Sequence, residues 1–394
     1  MSARVGLARC DYYEANLLVR KMHFCLEAAG VDTSVLRNAL VAVKPNLVMP
    51  MAPERAVCTH PEFFRAAVRL VRDLGGRPIL AECPGYTALE KTLARAGYGQ
   101  VLRDEDVPVA DVTQTRTLRW SGGRVFRRFE VAGAFLEADA IVSLPKLKTH
   151  GFMFFSGAVK HFFGTIPGLA KSRWHMRCPD VEPFAGMLLD LYGAWLHGFS
   201  PPKPLLHVMD GVLGMQGEGP GPSGTPRHVG VIVAGTDALA VDAAAATVVG
   251  IRPHRIPTLS FAEGRGLGET DPANIWMGGD PLGELLVKDF DTTLASLGSH
   301  VLRGPLVGKR MKNWFVARPV PRAGRCTLCY QCRHICPAGA ISRTRDRRRV
   351  PRYDYKKCIR CYCCMEICPE AAIDLVPGRL DFLSRLLDPE ARAG

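Results

Sequence analysis

The chain alternates short apolar runs, rich in Val, Ile and Leu, with longer stretches in which apolar residues recur every three or four positions. Runs of the first kind are typical of strands buried on both faces, and stretches of the second kind are typical of the helices that cover them. This alternation before residue 300 predicts an α/β domain with a mostly parallel sheet and flanking helices. The predicted strands are residues 40–44, 78–82, 140–144, 205–209 and 229–234.

Two of the predicted helices carry signals at their ends. Thr59 is the predicted N-cap of the first, with Pro61 in its first turn, and Gly75 ends it. Its apolar positions fall on one face, which comprises Phe63, Ala66, Ala67, Leu70 and Val71. The second starts near Thr236, where the negative charge of Asp237 suits the positive end of a helix, and continues through an alanine-rich stretch.

Polar side chains occur where three predicted strands end. Lys44 and Asn46 follow the first strand, Lys146, Lys148 and His150 follow another, and Asp210 follows a third. Because the carboxyl ends of parallel strands form the ligand crevice of such sheets, we expect these side chains to converge. A single lysine after a strand is more often a solvated surface residue, so the prediction depends on the three ends together.

Residues 147–168, with the sequence LKTHGFMFFSGAVKHFFGTIPG, extend this predicted site. The small residues Ser156 and Gly157 predict a helix that starts close to a strand and leaves backbone N–H groups free to bind an anion. Lys160 and His161 lie one turn further on. The five phenylalanines are either an apolar wall that depresses a lysine pKa or ordinary core, and the second interpretation is the commoner one; they are Phe152, Phe154, Phe155, Phe162 and Phe163.

Roles follow from these residue types. Lysines hold anions, and a histidine can donate a proton to a substrate. The sequence predicts catalytic roles for His150, Lys160, Asp210, Lys44 and Lys148. It predicts substrate-binding roles for Asn46, Lys146, Ser156, Gly157 and His161.

One glycine pattern is rejected as a nucleotide-binding motif. Gly219, Gly221 and Gly224 spell G-x-G-x-x-G, but prolines fill the gaps and a strand follows where the Rossmann fingerprint needs a helix. We interpret residues 215–226 as a long loop. The chain also lacks the G-x-x-x-x-G-K-[ST] sequence of a P-loop.

The C-terminal region contains an internal repeat, because C-x2-C-x2-C-x3-C-P occurs at residues 326–337 and again at 358–369. In this spacing three cysteines hold one [4Fe–4S] cluster and the fourth reaches the neighbouring cluster. Two clusters are therefore predicted, and Cys363 is spare. The first cluster has Cys326, Cys329, Cys332 and Cys368 as ligands, and the second has Cys336, Cys358, Cys361 and Cys364.

Zinc and disulfide roles fit the cysteine repeat poorly. Structural zinc usually takes two separated pairs, and a disulfide framework needs an oxidising compartment. The remaining cysteines share no spacing and are predicted to be mostly buried; Cys83 and Cys178 each precede a proline, where a third cluster or a reactive thiol is the less favoured interpretation. These five are Cys10, Cys25, Cys58, Cys83 and Cys178.

A length of 394 residues predicts two units, since one core rarely grows so large. The predicted α/β domain spans residues 1–300, a linker 301–322, a small α+β ferredoxin domain of the bacterial type 323–377, and a tail 378–394. The hydrophobic fraction of 47% argues against disorder. No apolar run approaches the roughly 20 residues of a membrane span. Asp11 and Glu14 interrupt any secretory signal, so the predicted location is cytoplasmic.

Much of the excess behind the formal net charge of +13 lies in one stretch, residues 343–352 with the sequence RTRDRRRVPR. This stretch is either a solvated loop or a docking surface for an acidic electron carrier. Nucleic acid is not predicted as a partner, because no stacking motif or recognition helix accompanies the charge.

Four segments resemble a known prokaryotic family, catalogued as domain of unknown function 362, which is often fused to a two-cluster ferredoxin module. They are KPNLV at 44–48, LPKLKTH at 144–150, SGAVKHFFGTIPG at 156–168 and DGVLGMQGEGPGPSGTP at 210–226. The resemblance covers most of residues 38–300 and implies no particular reaction.

The segment HGFMFFSGAVK at 150–160, followed by IPG at 166–168, is also similar to a motif of the lactate racemase family. There a lysine holds a nickel-pincer nucleotide and a histidine acts on the substrate, which implies these roles for Lys160 and His150. His175 lies near the position of a metal-binding histidine in that family. The pattern departs at Val159, where the family has arginine, and its first catalytic histidine has no counterpart. A further cofactor in the α/β domain is therefore an open expectation.

These observations predict an iron–sulfur oxidoreductase that receives electrons from a redox partner and passes them to an anionic or carbonyl-bearing small molecule in the α/β crevice. Two alternatives remain. The first alternative is a non-enzymatic electron carrier or maturation factor. The second is a racemase or isomerase whose clusters are structural. A bound metal or organic cofactor in the α/β domain would separate these functions.

Overall fold

The structure is a computed structural model that describes residues 3–85, 87–168, 170–292, 314–344 and 350–380. Its strands are β1 (Ala3–Arg9), β2 (Leu40–Pro45), β3 (Arg77–Leu80), β4 (Thr115–Arg119), β5 (Arg128–Ala132), β6 (Ala140–Leu144), β7 (Lys146–His150), β8 (Phe154–Ser156), β9 (Leu205–Gly217), β10 (Gly224–Gly235), β11 (Ile275–Gly279), β12 (Arg318–Pro321), β13 (Ile341–Ser342), β14 (Arg352–Tyr353) and β15 (Ile373–Val376). Its α-helices are α1 (Ala15–Ala28), α2 (Pro61–Asp73), α3 (Leu89–Arg95), α4 (Tyr98–Asp104), α5 (Gly133–Glu137), α6 (Ala158–His161), α7 (Ala170–Arg177), α8 (Val181–His197), α9 (Ala238–Val248), α10 (Pro257–Ser260), α11 (Leu282–Leu285), α12 (Gln331–Ile335) and α13 (Cys363–Glu366).

A mixed sheet of nine described strands forms the centre of the α/β domain. Seven of them follow the order β11-β1-β10-β9-β6-β2-β3, while β7 pairs with β9 and β8 pairs with β7. Five of the eight pairings are parallel and three are antiparallel. The predicted α/β class with a mostly parallel sheet is confirmed, and all five predicted strands are present.

Helices cover both faces of this sheet. On one face α1 and α2 enclose a core that includes Leu18, Phe63 and Val71. On the other face α8 and α9 enclose a second core that includes Trp195. Successive strand residues point to opposite faces, so each buried strand contributes to both cores. None of the helices in the described ranges is long and apolar enough to cross a membrane.

The start of α2 differs from the prediction. His60 is the N-cap, because its Nδ1 accepts the N–H of Glu62 at 3.2 Å. Thr59 instead joins two strand ends, since its hydroxyl accepts the N–H of Asn46 at 2.9 Å and donates to the carbonyl of Leu144 at 2.7 Å. A tertiary contact has replaced the local capping bond that the sequence favoured. The predicted apolar face of α2 is fully buried, as expected.

Residues 215–226, predicted as a long loop, are half strand and half turn. Gly217 of β9 pairs with Gly224 of β10, so only residues 218–223 form the turn of a hairpin. A Cβ at Gly219 would lie 2.3 Å from the carbonyl oxygen of Thr149, and one at Gly221 would lie 2.5 Å from the carbonyl oxygen of Glu366. The hairpin tip therefore needs glycine for close backbone packing, and Gly221 packs against the ferredoxin domain.

The N-terminus of α6 is not free to bind an external anion, contrary to the prediction. The carboxylate of Asp242 in α9 accepts the N–H groups of Ala158 and Val159, the latter at 3.1 Å. A Cβ at Gly157 would lie 1.9 Å from this carboxylate, so glycine permits the contact. Burial raises the pKa of Asp242 to about 7, and the two N–H donors act in the opposite direction. The protein's own carboxylate thus occupies the predicted anion position.

The ferredoxin domain is small and built around its cysteines. β12 pairs with β15 and β13 pairs with β14, both antiparallel. β12 lies within the predicted linker, residues 301–322, so the ordered pairing of this domain begins earlier than expected. Residues 301–313 of that linker, 345–349 of the arginine stretch and 381–394 of the predicted tail lie outside the described residues. The domain boundaries otherwise stay predictions.

We expect Asp242→Ala to destabilise the α/β domain, because the change leaves two buried N–H groups of α6 without acceptors. The expected loss in the free energy of unfolding is about 1–3 kcal/mol. Urea denaturation without oxygen, followed by tryptophan fluorescence, measures it. The control is Glu263→Ala, an exposed carboxylate whose removal should change stability by less than about 0.5 kcal/mol. Equal midpoints for the two variants would contradict the capping role.

Candidate functional site

Two cavities in the ferredoxin domain are each lined by one predicted set of four cysteines. Each set combines three cysteines of one motif with the last cysteine of the other motif, as the sequence predicted. The first quartet is Cys326, Cys329, Cys332 and Cys368. The second quartet is Cys336, Cys358, Cys361 and Cys364.

The backbone around the two quartets follows the same course. Leu328 and Tyr330 in the first motif have φ values of 57° and 59°, and Arg360 and Tyr362 at the matching positions of the second have 63° and 62°. Left-handed residues at these points turn the chain so that successive cysteines face one centre. The repeat in the sequence is thus a repeat in backbone geometry.

Two cysteine sulfurs also receive backbone hydrogen bonds. The N–H of Ala340 donates to Sγ of Cys336, and the N–H of Ala372 donates to Sγ of Cys368, each at 3.3 Å. Such donors stabilise thiolates, which are the form that binds iron. Within the described ranges no three His, Cys, Asp or Glu side chains come close enough to hold a single metal ion. Quartets spaced around a cavity fit a cube of iron and sulfur better than one zinc ion.

In the α/β domain, four of the buried charges at the strand ends form two ion pairs. Nζ of Lys44 lies 2.6 Å from Glu82, and Nζ of Lys146 lies 2.7 Å from Asp210. The side chains of both pairs are at most 4% exposed. The hydroxyl of Tyr13 donates to Asp210 at 2.8 Å and accepts from Lys146 at 2.9 Å. Burial lowers the pKa of both lysines, and the neighbouring carboxylates act against that shift.

Lys148 lies between these pairs and is held by neutral groups. Its Nζ donates to the side-chain oxygen of Asn46 and to the carbonyl of Val57, each at 2.7 Å. Burial lowers the pKa of Lys148 to about 7. The predicted strand ends therefore do converge, but Lys44, Lys146 and Lys148 each already have a protein partner.

The two predicted histidines differ in their surroundings. Nδ1 of His161 lies 2.8 Å from the hydroxyl of Ser143, and its Nε2 lies 3.1 Å from the carbonyl of Pro45. Nδ1 of His150 accepts the N–H groups of Phe152 and Met153, which assigns its proton to Nε2.

Burial lowers the pKa of both His150 and His161 well below the usual value, so both are neutral. Nε2 of His150 lies 3.4 Å from the carboxylate of Glu366, which belongs to the ferredoxin domain. His150 is thus the predicted site residue that reaches directly across to the cluster-binding unit.

A cavity of about 120 Å³, here called the interdomain cavity, lies between the two domains. One wall comes from the α/β domain and includes Lys160, Lys171 and His175. The other wall comes from the ferredoxin domain and includes Cys363 and Glu366. The cavity therefore adjoins the short helix α13. This helix contains Cys364 of the second quartet, and Cys368 of the first quartet follows it by two residues.

Lys160 is the cation in this cavity that has no partner. Among the described residues its ammonium forms no hydrogen bond or ion pair, whereas Lys171 donates to the carbonyls of Cys83 and Pro84. Burial lowers the pKa of Lys160, and the charge of Glu366 acts in the opposite direction. An ammonium that is partly withdrawn from water and has no ion-pair partner favours an anion beside it.

His175 also faces the interdomain cavity with an unsatisfied atom. Its ring stacks on Phe184 with centroids 4.4 Å apart, and its buried Nδ1 has no hydrogen-bond partner in the described ranges. Burial lowers the pKa of His175 to about 3, so the imidazole is neutral. Depending on which ring nitrogen carries the proton, Nδ1 of this neutral imidazole can accept a hydrogen bond from a ligand or donate one to it.

The predicted site is thus divided by the fold. Asn46, Lys160 and His161 line the interdomain cavity, while the remaining predicted residues lie in the buried network behind it or under α6. The five phenylalanines are buried core, as the commoner interpretation predicted. Three contributors were not predicted. Glu82 ends a predicted strand and could have been found by the same rule, whereas Lys171 and Glu366 carry no local signal.

The five cysteines outside the motifs are all buried, as predicted. Cys83 lines the interdomain cavity, where burial raises the pKa of its thiol to about 12. The thiol is therefore protonated and a poor nucleophile.

Comparisons with known proteins agree with this organisation. Residues 41–247 match a family model described as a domain of unknown function (DUF362), and residues 318–369 match a 4Fe-4S dicluster domain. A thylakoid-associated protein of Synechocystis sp. is 31% identical over 272 residues, which cover 68% of this chain and 82% of that protein.

A solved structure, the lactate racemase apoprotein from Thermoanaerobacterium thermosaccharolyticum, is similar with a TM-score of 0.34 and 14% identity. The match covers 52% of this chain and 50% of that protein, so the chain spans about half of its length. A likeness this weak supports no statement about cofactor or reaction.

We expect Cys368→Ser to remove about half of the bound iron, because this cysteine completes the first quartet from the second motif. Cys363→Ser is the matched control and should keep all of the iron, since Cys363 belongs to neither quartet. Iron and sulfide analysis of protein purified without oxygen measures both. A loss in Cys363→Ser as large as that in Cys368→Ser would overturn the assignment of the quartets.

Proposed function

This chain belongs to the DUF362 family, and from that premise we propose that it is an iron–sulfur oxidoreductase that passes electrons to a small anionic or carbonyl-bearing substrate in the interdomain cavity. Its 4Fe-4S dicluster domain binds iron–sulfur clusters. The proposal adds that there are two [4Fe–4S] clusters, one in each quartet. The observation that carries it is the unpaired ammonium of Lys160 in a cavity whose opposite wall belongs to the ferredoxin domain.

The charge of Lys160 supports an anionic substrate. Lys160 is partly buried and has no ion-pair partner among the described residues, whereas the fully buried Lys44 and Lys146 are paired with Glu82 and Asp210. A substrate carboxylate or similar anion would complete the pairing at Lys160. A cavity of about 120 Å³ limits the substrate to a small molecule, since a cavity of roughly 150 Å³ accommodates benzene.

The position of α13 supports electron transfer into this cavity. Cys363 and Glu366 line it, and the cluster positions Cys364 and Cys368 flank Glu366 in the chain. A substrate beside Lys160 would therefore contact the peptide that bears ligands of both clusters. When bound, the clusters supply single electrons, and the chain's part is to hold the substrate beside them.

His150 is proposed to orient Glu366 through its Nε2 proton and not to supply protons to the substrate as predicted, because its ring is neutral and a neutral imidazole is a very weak acid. Its Nε2 carries the ring proton and lies 3.4 Å from Glu366, which faces the cavity. Lys44, Lys148 and Asp210 have positioning roles in this proposal, because each is bonded to another protein group. Asn46 and His161 line the cavity and are available to bind substrate, whereas Ser156 and Gly157 shape α6 next to Lys160.

A simple electron carrier is the less favoured function, because a carrier needs no unpaired cation in an internal cavity. The proposed redox partner is an acidic protein that docks beside the first quartet, where Cys329 is exposed and the exposed side chains of Arg325 and Arg333 add positive charge. A cytoplasmic location is also part of the proposal. The name of the Synechocystis relative associates that protein with the thylakoid.

The test of the substrate site uses protein whose clusters have been reduced and freed of reductant. Small carboxylates and oxo acids are added, and return of the clusters' visible absorbance reports electron transfer to a substrate. For any anion that reoxidises the clusters, Lys160→Met should raise the half-saturating concentration at least about tenfold, because the charged contact is lost. Lys91→Met, an exposed lysine, is the control and should behave as wild type.

Equal behaviour of Lys160→Met and wild type would remove Lys160 from the site. Failure of every anion to reoxidise the clusters would favour the electron-carrier function instead.

We expect reduction of the clusters by an acidic electron-carrier protein to slow as ionic strength rises, because salt screens the attraction at the docking surface. Arg333→Glu should lower the second-order rate constant about tenfold at low salt and reduce its salt dependence. Stopped-flow absorbance measures the rates. Arg128→Glu, an exposed change in β5 of the α/β domain, serves as the control, and an equal effect of both changes would exclude specific docking beside Cys329.

A further inference from the structure

A second and larger cavity lies where the tip of the β9–β10 hairpin meets the ferredoxin domain. Its volume is about 470 Å³, within the range of small-molecule sites. We call it the arginine cleft, and it shares no lining residue with the interdomain cavity. The lining side chains used below are Arg55, Glu218 and Ser223 of the α/β domain and Arg322, Arg325 and Asp374 of the ferredoxin domain.

The guanidinium groups in this cleft are only partly compensated. Arg322 forms an ion pair with Asp374. Arg55 donates to the carbonyl of Pro222 at 2.6 Å, and Arg325 donates to the carbonyl of Ala371 at 3.4 Å. Within the described part of the chain, neither Arg55 nor Arg325 has a carboxylate partner, and each has further N–H groups available. The cleft therefore contains two guanidinium groups without a carboxylate partner among the described residues, one from each domain, and the carboxyl group of Glu218 lines the same cleft.

Two residues that line the cleft each carry an oxygen atom that has no donor among the described residues. Oε2 of Glu218 and Oγ of Ser223 are buried and have no hydrogen-bond partner among the residues that the structure describes. Buried polar atoms are rarely left unsatisfied, so such a pair indicates a missing partner. Burial, with the charge of Asp291 as a second cause, raises the pKa of Glu218 to about 6. A ligand hydroxyl or amino group would satisfy both atoms.

We propose that the arginine cleft binds a phosphate monoester that also carries hydroxyl groups, in the size range of a sugar phosphate or mononucleotide. A phosphate monoester carries a charge of roughly −1.5 to −2 at pH 7 and three strong acceptor oxygens, so it can accept hydrogen bonds from both guanidiniums at once, whereas a carboxylate offers only two oxygens. Arginine's fork of N–H donors suits phosphate oxygens. The ligand hydroxyls would bind Glu218 and Ser223.

A ligand in the arginine cleft would contact both domains. Arg55 belongs to the α/β domain, while Arg325 immediately precedes the cluster position Cys326. Ala371, which accepts the bond from Arg325, adjoins Ala372, whose N–H donates to Cys368. A phosphate between Arg55 and Arg325 therefore bridges the two domains next to the first quartet and holds the ferredoxin domain against the hairpin tip.

The test is isothermal titration calorimetry on the cluster-loaded protein without oxygen. The probes are adenosine 5′-monophosphate, ribose 5-phosphate, inorganic phosphate and acetate. We expect saturable binding of the two esters, weaker binding of inorganic phosphate and none of acetate. Arg55→Gln and Arg325→Gln should each weaken ester binding at least about tenfold. Arg128→Gln, an exposed arginine outside the cleft, should have no effect.

Each contrary outcome overturns the proposal. Absence of saturable ester binding removes the site, and equal affinity of the glutamine variants and wild type places the ligand elsewhere. Acetate binding as strongly as the esters would make the cleft a carboxylate site. Should Arg325→Gln fail to load clusters, Arg55→Gln decides alone, since Arg55 lies in the α/β domain. Lys160→Met should bind the esters as wild type does, so a failure here is distinct from a failure of the proposed oxidoreductase site.

Discussion

A buried ammonium group is stable only beside an anion or several acceptors, and this constraint organises the polar centre of the α/β domain. Lys44 is held by Glu82 and Lys146 by Asp210, so the carboxyl ends of the central strands are connected across the sheet. Lys160, which is only partly buried, is the lysine beside this centre that has no such partner among the described residues. Its charge lies at the boundary with the ferredoxin domain and is unpaired. Lys160 is therefore suited to bind a ligand, whereas the paired lysines stabilise the fold.

The same requirement explains the helix start that had been expected to bind an anion. The N–H groups of Ala158 and Val159 do bind a carboxylate, but the carboxylate is that of Asp242. Gly157 makes this possible because any side chain would collide with it. Free N–H groups at a helix start are typical of ligand binding, but here they bind a side chain of α9 and so connect α6 to α9, next to Lys160.

Close backbone packing connects the two domains. Gly221 at the hairpin tip approaches the carbonyl of Glu366, and the side chain of Glu366 reaches His150 of the α/β domain. Of the three glycines that resemble a nucleotide-binding fingerprint, Gly221 therefore serves the domain interface, while Gly219 and Gly224 pack within the α/β domain. Because the hairpin tip and α13 meet here, the interdomain cavity and the arginine cleft both have walls from each domain.

The sequence by itself determined the strands and helices whose apolar period is strong, because these depend on contacts within about a dozen residues, where local backbone geometry leaves few choices. It also predicted how the cysteines divide into two sets, from two motifs that begin 32 residues apart and share one spacing. It also indicated that Lys44, Lys148 and His150 lie near one another, because parallel strands end at one edge. Only the tertiary structure decided which cations are neutralised. The partners of Lys44 and Lys146 are 38 and 64 residues away, and Glu366 comes from another domain. Strand order and domain docking bring these groups together, and no local pattern encodes either.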